Sequence, residues 1–492
     1  MTIDDSDPGR PGESRPLPSR RPAGRGQSRD LERYAALFAS RTRVMTSSAM
    51  RDLMALTDRP EIISLAGGLP DTSSFGDDTF LEVMERVSHQ SARALQYAPT
   101  EGLDVAKEAV GVVMAAEGTP VDPEDLLLTT GGQQVIDLVC KALIDPGDVI
   151  IAEGPTYPGA IPSFTAYEAD VVQIPLDQDG MPIDRLEETL DQLAREGRSP
   201  KFIYTIPNFQ NPGGVTMSLP RRQRLLQIAR ERELLILEDN PYGVLRYEGD
   251  PLPSLFGLER ATGSGANEFV IYLGTFSKVL APGLRLGWAA APHPVLAKLN
   301  TGKQGADLNS STISQLFVAE YFASGAWPAY IRGLKERYRR RRDTMLDALA
   351  EHAPAEAQWT RPQGGLFIWA TLPEWIDTTD LLVRALSRNV AFVPGRAAFL
   401  NGQGGSSMRL NFSGVPEDDI REGIRRIGEV INEQVRLYGT ITGRRPAAAI
   451  EDRDQRELAA PPTPEESAAL ADVLHLPRPG KKKPDRRGGE LR

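Results

Sequence analysis

The sequence predicts an open α/β sheet with helices on its faces, followed by a smaller α+β unit. Three features of the chain point to this. Short apolar runs of strand length alternate with amphipathic stretches of helix length. Several of the runs are continuous, as strands covered on both faces are. Polar, aromatic or glycine residues follow five of them, and open α/β sheets bind ligands beyond the carboxyl ends of their strands. Strand–helix alternation of this kind implies right-handed crossovers.

Residues 1–28 hold almost no large apolar groups. Burial there cannot offset the entropy of ordering, so a disordered tail is expected. Asp125–Thr129 reads as the first strand of the sheet. It runs into Gly131-Gly132 and a helix with Val135, Leu138, Val139 and Ala142 on one face, stopped by Asp145-Pro146-Gly147. The runs 149–152, 169–176, 201–207, 234–238 and 269–274 read as further strands, with helical segments such as Arg221–Glu233 between most of them. The pattern changes after about Pro292. A long helix carries Ile331, Leu334, Tyr338, Met345 and Leu349 on one face, and the run Arg339–Arg342 on a face expected to be solvated. It leads into GGLFIWATL, VAFVPG and MRLNFS, read as the smaller unit. Residues 442–492 are rich in Pro, Arg, Ala and Glu, which predicts a second disordered tail with one weak helical patch, Pro464–Leu476.

Composition narrows the function. Of 492 residues, 57 are Lys or Arg and 67 are Asp or Glu, a net charge of −10. That balance disfavours a nucleic-acid partner. No apolar run reaches the roughly 18 residues of a membrane helix, and the N-terminus lacks the apolar core of a secretory signal. The single cysteine, Cys140, excludes an internal disulfide framework and a cysteine-based zinc cluster. His89, His293, His352 and His475 show no metal-ligand spacing, so no metal is expected. A reducing, cytoplasmic setting is the default expectation.

The strand ends carry the chemistry. Gly131-Gly132-Gln133 follows the first strand, Tyr157 the second and Asn211 the run 201–207. Asp239 and Tyr242 follow 234–238, and Thr275, Ser277 and Lys278 follow 269–274. Glycines opening a helix expose N–H groups at its positive end, which suits a phosphate. Thr275 and Ser277 add hydroxyls, and Arg285 adds a charge-assisted fork. A lysine at a strand end is a candidate imine-forming amine. A buried Asp beside it can hold a pyridinium proton, and Tyr157 can stack on a ring. Together these are the means of holding pyridoxal phosphate. Singly, each has a plainer reading: an ordinary turn, a helix N-cap for Asp239, core packing for Tyr157, a surface lysine for Lys278. Their order and combination favour one site. Competing phosphate-loop, dinucleotide and nucleophile-elbow motifs are absent from the sequence.

The motifs SLAGGLPD (64–71), LQYAPTEG (95–102), TTGGQQ (129–134), EGPTYPGA (153–160), PNFQNPGG (207–214), EDNPYGVLRY (238–247), GTFSKVLAPGLRLGW (274–288), KQGADL (303–308) and MRLNFS (408–413) occur in that order. With them the chain resembles the fold-type I pyridoxal phosphate enzymes of the class I/II aminotransferase family, over about Tyr34–Leu437. Its nearest branch looks like that of the 2-aminoadipate and kynurenine aminotransferases. The resemblance implies a large cofactor domain at 76–330 with a mostly parallel seven-stranded sheet, a small domain at 331–441, and a segment at 29–75 that joins the small domain and covers the substrate. It implies that Lys278 forms the imine with pyridoxal 5'-phosphate and takes the substrate's α-proton. Asp239 would pair with the ring nitrogen, Asn211 and Tyr242 with the ring oxygen, and Tyr157 would stack on the ring. Gly132, Gln133, Thr275, Ser277 and Arg285 would hold the phosphate. Tyr97 would reach the neighbouring subunit's phosphate, making a homodimer. Arg409 would grip the substrate carboxylate, with Gly68 and Asn211 nearby and Arg51 on the covering segment.

Some positions depart from the family pattern: Gly132 where Ser is frequent, Thr275 for a common Ser, and Gly213 where Thr is usual. The implied reaction moves an amino group from an L-amino acid to a 2-oxo acid, with glutamate and 2-oxoglutarate as one pair. Arg51 fits an acidic second substrate; Tyr157, Phe209 and Leu69 fit an aromatic or aliphatic one. A lyase, racemase or decarboxylase on the same scaffold is the alternative. A transcription regulator with an aminotransferase-like domain is disfavoured, because fewer than ~40 residues precede the resemblance, too few for a DNA-binding domain.

Overall fold

A computed structural model of the chain describes residues 34, 36–45, 53, 59–262 and 267–442. The chain divides into two units, Met1–Arg43 and Val44–Arg492. In the first, a short 3-10 turn spans Ser40–Arg43. All that follows concerns the second. Both predicted tails beyond these residues, the 464–476 patch and Arg51 lie outside the described residues.

After a short strand β1 (Ile63–Ser64), seven strands form the main sheet: β2 (Leu126–Thr129), β3 (Val149–Gly154), β4 (Asp170–Pro175), β5 (Pro200–Thr205), β6 (Leu235–Asp239), β7 (Val270–Thr275) and β8 (Gly287–Ala290). Their order is β2-β8-β7-β6-β5-β3-β4. Every predicted run is a strand. The continuous runs of β2 and β3 are buried along their whole length, and β4, at the edge, is only partly buried. The strand that periodicity misses is β8, a four-residue GWAA whose glycine and alanines give no run of large apolar residues. It pairs antiparallel with both β2 and β7, while β7-β6, β6-β5, β5-β3 and β3-β4 are parallel. Two reversals restore direction, so β2 runs in the same sense as β7. The carboxyl ends of β2, β3, β5, β6 and β7 therefore open on one edge, and β8 starts there.

Helix Gly132–Leu143 buries Val135, Ile136, Leu138, Val139 and Cys140. Ala142, expected on that face, is exposed. The sheet covers a broader stripe than predicted, and the helix tip carries Ala142 past it. The helix predicted at Arg221–Glu233 runs from Leu219 to Arg232 and stops where Glu233 turns left-handed.

A second, antiparallel sheet comprises β9 (Gln358–Trp359), β10 (Phe367–Thr371), β12 (Val393–Pro394) and β13 (Ser407–Asn411), in the order β12-β13-β10-β9. The intervening β11 (Val390–Ala391) pairs in parallel with β1. The long helix Trp327–His352 buries all five predicted apolar residues. It begins four residues ahead of the predicted 330/331 boundary, which thus falls within it. Its basic run is solvated only in its first half: Arg339 and Arg340 are exposed, as expected, and the second half corrects the expectation. Arg341 and Arg342 are buried. They stand three and four residues beyond Tyr338, on the core stripe itself. Arg341 Nη2 lies 3.0 Å from Asp71 Oδ2, and Arg342 Nη1 lies 2.5 Å from Glu248 Oε2 and donates to Pro362 O. Among the described residues no helix is long and apolar enough to cross a membrane.

Candidate active site

A cavity of about 300 Å³ opens at the common edge of the main sheet. Gly132, Gln133, Tyr157, Asn211, Asp239, Tyr242, Thr275, Ser277, Lys278 and Arg285 line it. The strand ends thus deliver to one place the groups predicted to share it. Ile136, Ile206, Pro241, Leu273 and Pro282, which sequence reasoning did not single out, complete the wall.

One part of this cavity is built for an anion. Helix Gly132–Leu143 starts after Gly131 at φ 78° and has no side-chain cap, leaving its first N–H groups for a ligand. A Cβ on Gly131 would lie 2.7 Å from Arg285 Nη2. Only glycine therefore tolerates both the left-handed turn and the guanidinium beside it. Arg285 arrives because β8 begins at this edge. Gly287 lets the two segments touch, since its Cβ would come within 2.8 Å of Gly131 C and Gly132 N. Thr275 Oγ1 accepts from Ser277 N at 3.1 Å, and the two hydroxyls are 3.0 Å apart. At Gly132 a Cβ would lie 2.9 Å from Leu273 Cδ2, so a serine there would require that side-chain end to shift. Gln133 spends its side-chain amide on Gly159 O and Ser163 Oγ, at 2.8 and 2.9 Å. What it offers an anion is its backbone N–H.

Another part holds a lysine and a carboxylate. Lys278 Nζ donates to Gly68 O at 2.6 Å. Burial, with the like charges of Arg409 and Arg285, pushes Lys278 down to about 8, against the pull of Asp239. Asp239, 4% exposed, is pushed up to about 6 by burial, while a bond from Tyr204 and the charge of Lys278 oppose the rise. Asn211 Nδ2 donates to Tyr242 Oη at 3.3 Å. Tyr157 Oη and ring sit against Gly159, where a Cβ would come within 2.3 Å of the ring.

Arg409 comes from β13 of the second sheet. It is 2% exposed and donates to Asn211 Oδ1 at 3.0 Å and Ala66 O at 2.7 Å. Its guanidinium carbon lies 4.3 Å from the Phe367 ring centre. Gly68, expected at the substrate, gives its carbonyl to Lys278. Tyr97 is 78% exposed and lines a different hollow, with Asp307 and Ile313. Phe209, read as a substrate contact, is buried elsewhere. Arg246 caps its ring at 4.8 Å, and Gly364 and Gly365 pack against it. Gly213, where Thr is usual, leaves room for Gln210, whose Oε1 accepts from Gly213 N at 2.6 Å; a Cβ would lie 2.8 Å from that oxygen.

Residues 60–427 match the family model described as aminotransferase class I and II. The chain belongs to the class I and II aminotransferases. This aminotransferase is 44% identical over 409 residues to the aromatic-amino-acid aminotransferase 1 of Thermococcus litoralis, covering 83% of this chain and 96% of that protein. It is 39% identical to the kynurenine aminotransferase of Pyrococcus horikoshii, over 83% of this chain and 99% of that one, with a TM-score of 0.77. It is 38% identical to the α-aminoadipate aminotransferase of Thermus thermophilus, solved with N-(5'-phosphopyridoxyl)-L-leucine, over 82% of this chain and 99% of that one, with a TM-score of 0.75. The enzyme moves an amino group between an amino acid and a 2-oxo acid, and its cofactor is pyridoxal 5'-phosphate. The cavity of this aminotransferase fits that cofactor. It combines a capless helix start flanked by a guanidinium, a buried carboxylate and a lysine of depressed pKa.

Proposed function

We propose that this aminotransferase holds pyridoxal 5'-phosphate in the Lys278 cavity, with glutamate and 2-oxoglutarate as one substrate pair and an acidic or aromatic amino acid as the other donor. What supports the site most is the meeting in one cavity of Lys278, Asp239 and the Gly132–Thr275–Arg285 anion cluster. The N–H groups of Gly132 and Gln133, the hydroxyls of Thr275 and Ser277 and the Arg285 fork would hold the phosphate. Asp239 would face the ring nitrogen, Asn211 and Tyr242 the ring oxygen, and Tyr157 the ring. When bound, the cofactor supplies an electron sink for the breaking Cα–H bond.

The chain's own residues do the rest. Lys278 Nζ, neutral in about half the molecules near pH 8, would take the proton from substrate Cα and deliver one to the cofactor's former aldehyde carbon, so that the amino group stays behind when the oxo acid leaves. Gly68 O, 2.6 Å away, orients that nitrogen. Arg409 takes the substrate carboxylate, and its bonds to Ala66 and Asn211 hold the guanidinium in place. Its carbon's 4.3 Å approach to Phe367 supports the same orientation.

The names of the relatives, aromatic, kynurenine and α-aminoadipate aminotransferases, support a broad second substrate. Exposed Tyr97 and Leu95 support a homodimer in which Tyr97 completes the neighbouring site. The acidic balance and single cysteine support a cytoplasmic setting. We assign the cofactor domain to the residues from 76 up to the helix that begins at Trp327, and the small domain to that helix and the chain through 441, joined by β1 through its pairing with β11. Borohydride reduction of cofactor-saturated protein, then peptide mapping, is expected to label Lys278; an unlabelled Lys278 overturns the site. A donor panel without transfer from glutamate removes that pair.

A further inference from the structure

On the reading that Asp239 serves the cofactor's ring nitrogen, we propose that Tyr204 is a positioning residue for the reaction: its phenol holds the Asp239 carboxylate ionised and in one orientation. Tyr204 lies on β5 and Asp239 ends the adjacent β6, with Tyr204 in register with Leu237. The Tyr204 hydroxyl donates to Asp239 Oδ2 at 2.6 Å. Among the described residues no other donor is found on that carboxylate. The tyrosine is fully buried, and its ring packs edge-on against Phe164 with centres 5.3 Å apart. Burial and this packing favour the phenol's position on the carboxylate.

Charge explains why such a donor matters. Four other titratable groups bear on Asp239: Lys278, the buried Glu153 on β3, and the phenols of Tyr157 and Tyr242. Lys278 alone among them is a cation. Burial works against the charge on Asp239, and that charge, with burial, pushes Glu153 up towards its neutral form. Tyr204 is itself held well above the usual phenol range by burial and by Asp239, so it stays a donor at any working pH. A hydrogen bond to a buried anion is among the stronger ones. Losing it moves the carboxyl towards its neutral form, which no longer attracts a protonated ring nitrogen.

Tyr204→Phe removes the hydroxyl and keeps the ring. With the full-length protein, pyridoxal 5'-phosphate titrated into cofactor-free enzyme is expected to show a dissociation constant about tenfold higher than in the parent. The pH at which the bound cofactor's absorbance changes should also move. In the amino-acid half-reaction, kcat should fall more than KM rises. Phe164→Leu loosens the ring packing but keeps the hydroxyl, and should move that pH clearly less than Tyr204→Phe does. A double-mutant cycle with Asp239→Asn separates the possibilities. If Tyr204 acts through Asp239, Tyr204→Phe adds nothing on the Asn background. An equal loss on both backgrounds, or an unchanged dissociation constant and pH profile beside a clear Asp239→Asn defect, overturns the role of Tyr204. An Asp239→Asn variant that binds cofactor as the parent does overturns the reading beneath it.

Discussion

The proposed cofactor half and the proposed carboxylate-binding half of the site are built in different ways. The first stands on five strand ends of one sheet, locked to one edge by the ladder. Its groups constrain each other: Gly131 makes room for Arg285, Gly287 for Gly131, and Tyr204 bonds Asp239. The second hangs on one side chain, Arg409, from another sheet, held by Asn211, a backbone carbonyl at Ala66 and the Phe367 face. A rigid edge suits a group that stays bound. A grip that spans two sheets suits one that must enter and leave.

The largest effect should come from the rigid half. Lys278→Ala is expected to lower turnover by about 10⁴-fold, read as amino transfer in a coupled assay with cofactor present; activity within tenfold of the parent would dissolve the contrast. Arg409→Ala should cost about 10²–10³-fold in kcat/KM for both substrates, mainly through KM, because a buried charge-assisted contact is lost and Asn211 Oδ1 loses its donor. An effect on one substrate alone would move Arg409 from the carboxylate to the side chain. Third comes pH. Lys278 is held near 8, so its neutral form grows as pH rises to that value and is nearly complete above it. Covalent capture of pyridoxal 5'-phosphate by the cofactor-free enzyme should speed up about tenfold between pH 7 and 9 and then level off; a rate still climbing towards pH 10.5 would mean an ordinary lysine. The smallest effect concerns the phosphate cradle. Gly132→Ser should lower stability by about 1 kcal/mol through crowding of Leu273, seen as a reduced melting temperature, without tightening cofactor binding.

The two halves also differ in how far they can be read from the chain. Apolar runs show where strands end, and polar groups after an apolar run stand out, so Asp239, Lys278, Asn211 and Tyr157 are visible as residues that share a site. Tyr204 is invisible because it sits inside an apolar run and looks like core. Phe209 misleads for the opposite reason: it lies in a loop among site residues, yet Arg246 and two glycines draw its ring away. Arg341 and Arg342 mislead because a basic run reads as surface, while helical geometry puts them on the core stripe against Asp71 and Glu248.

Local order along the chain thus determined the α/β class, the strand ends and which polar groups follow them, because hydrophobic period and turn chemistry are properties of neighbouring residues. Only the tertiary structure decided that β8 runs backwards and brings Arg285 beside Gly131, that Leu273 packs against Gly132, and that Arg409 reaches across from a second sheet. Those are contacts between residues far apart in sequence, and their geometry exists only once the sheets have packed.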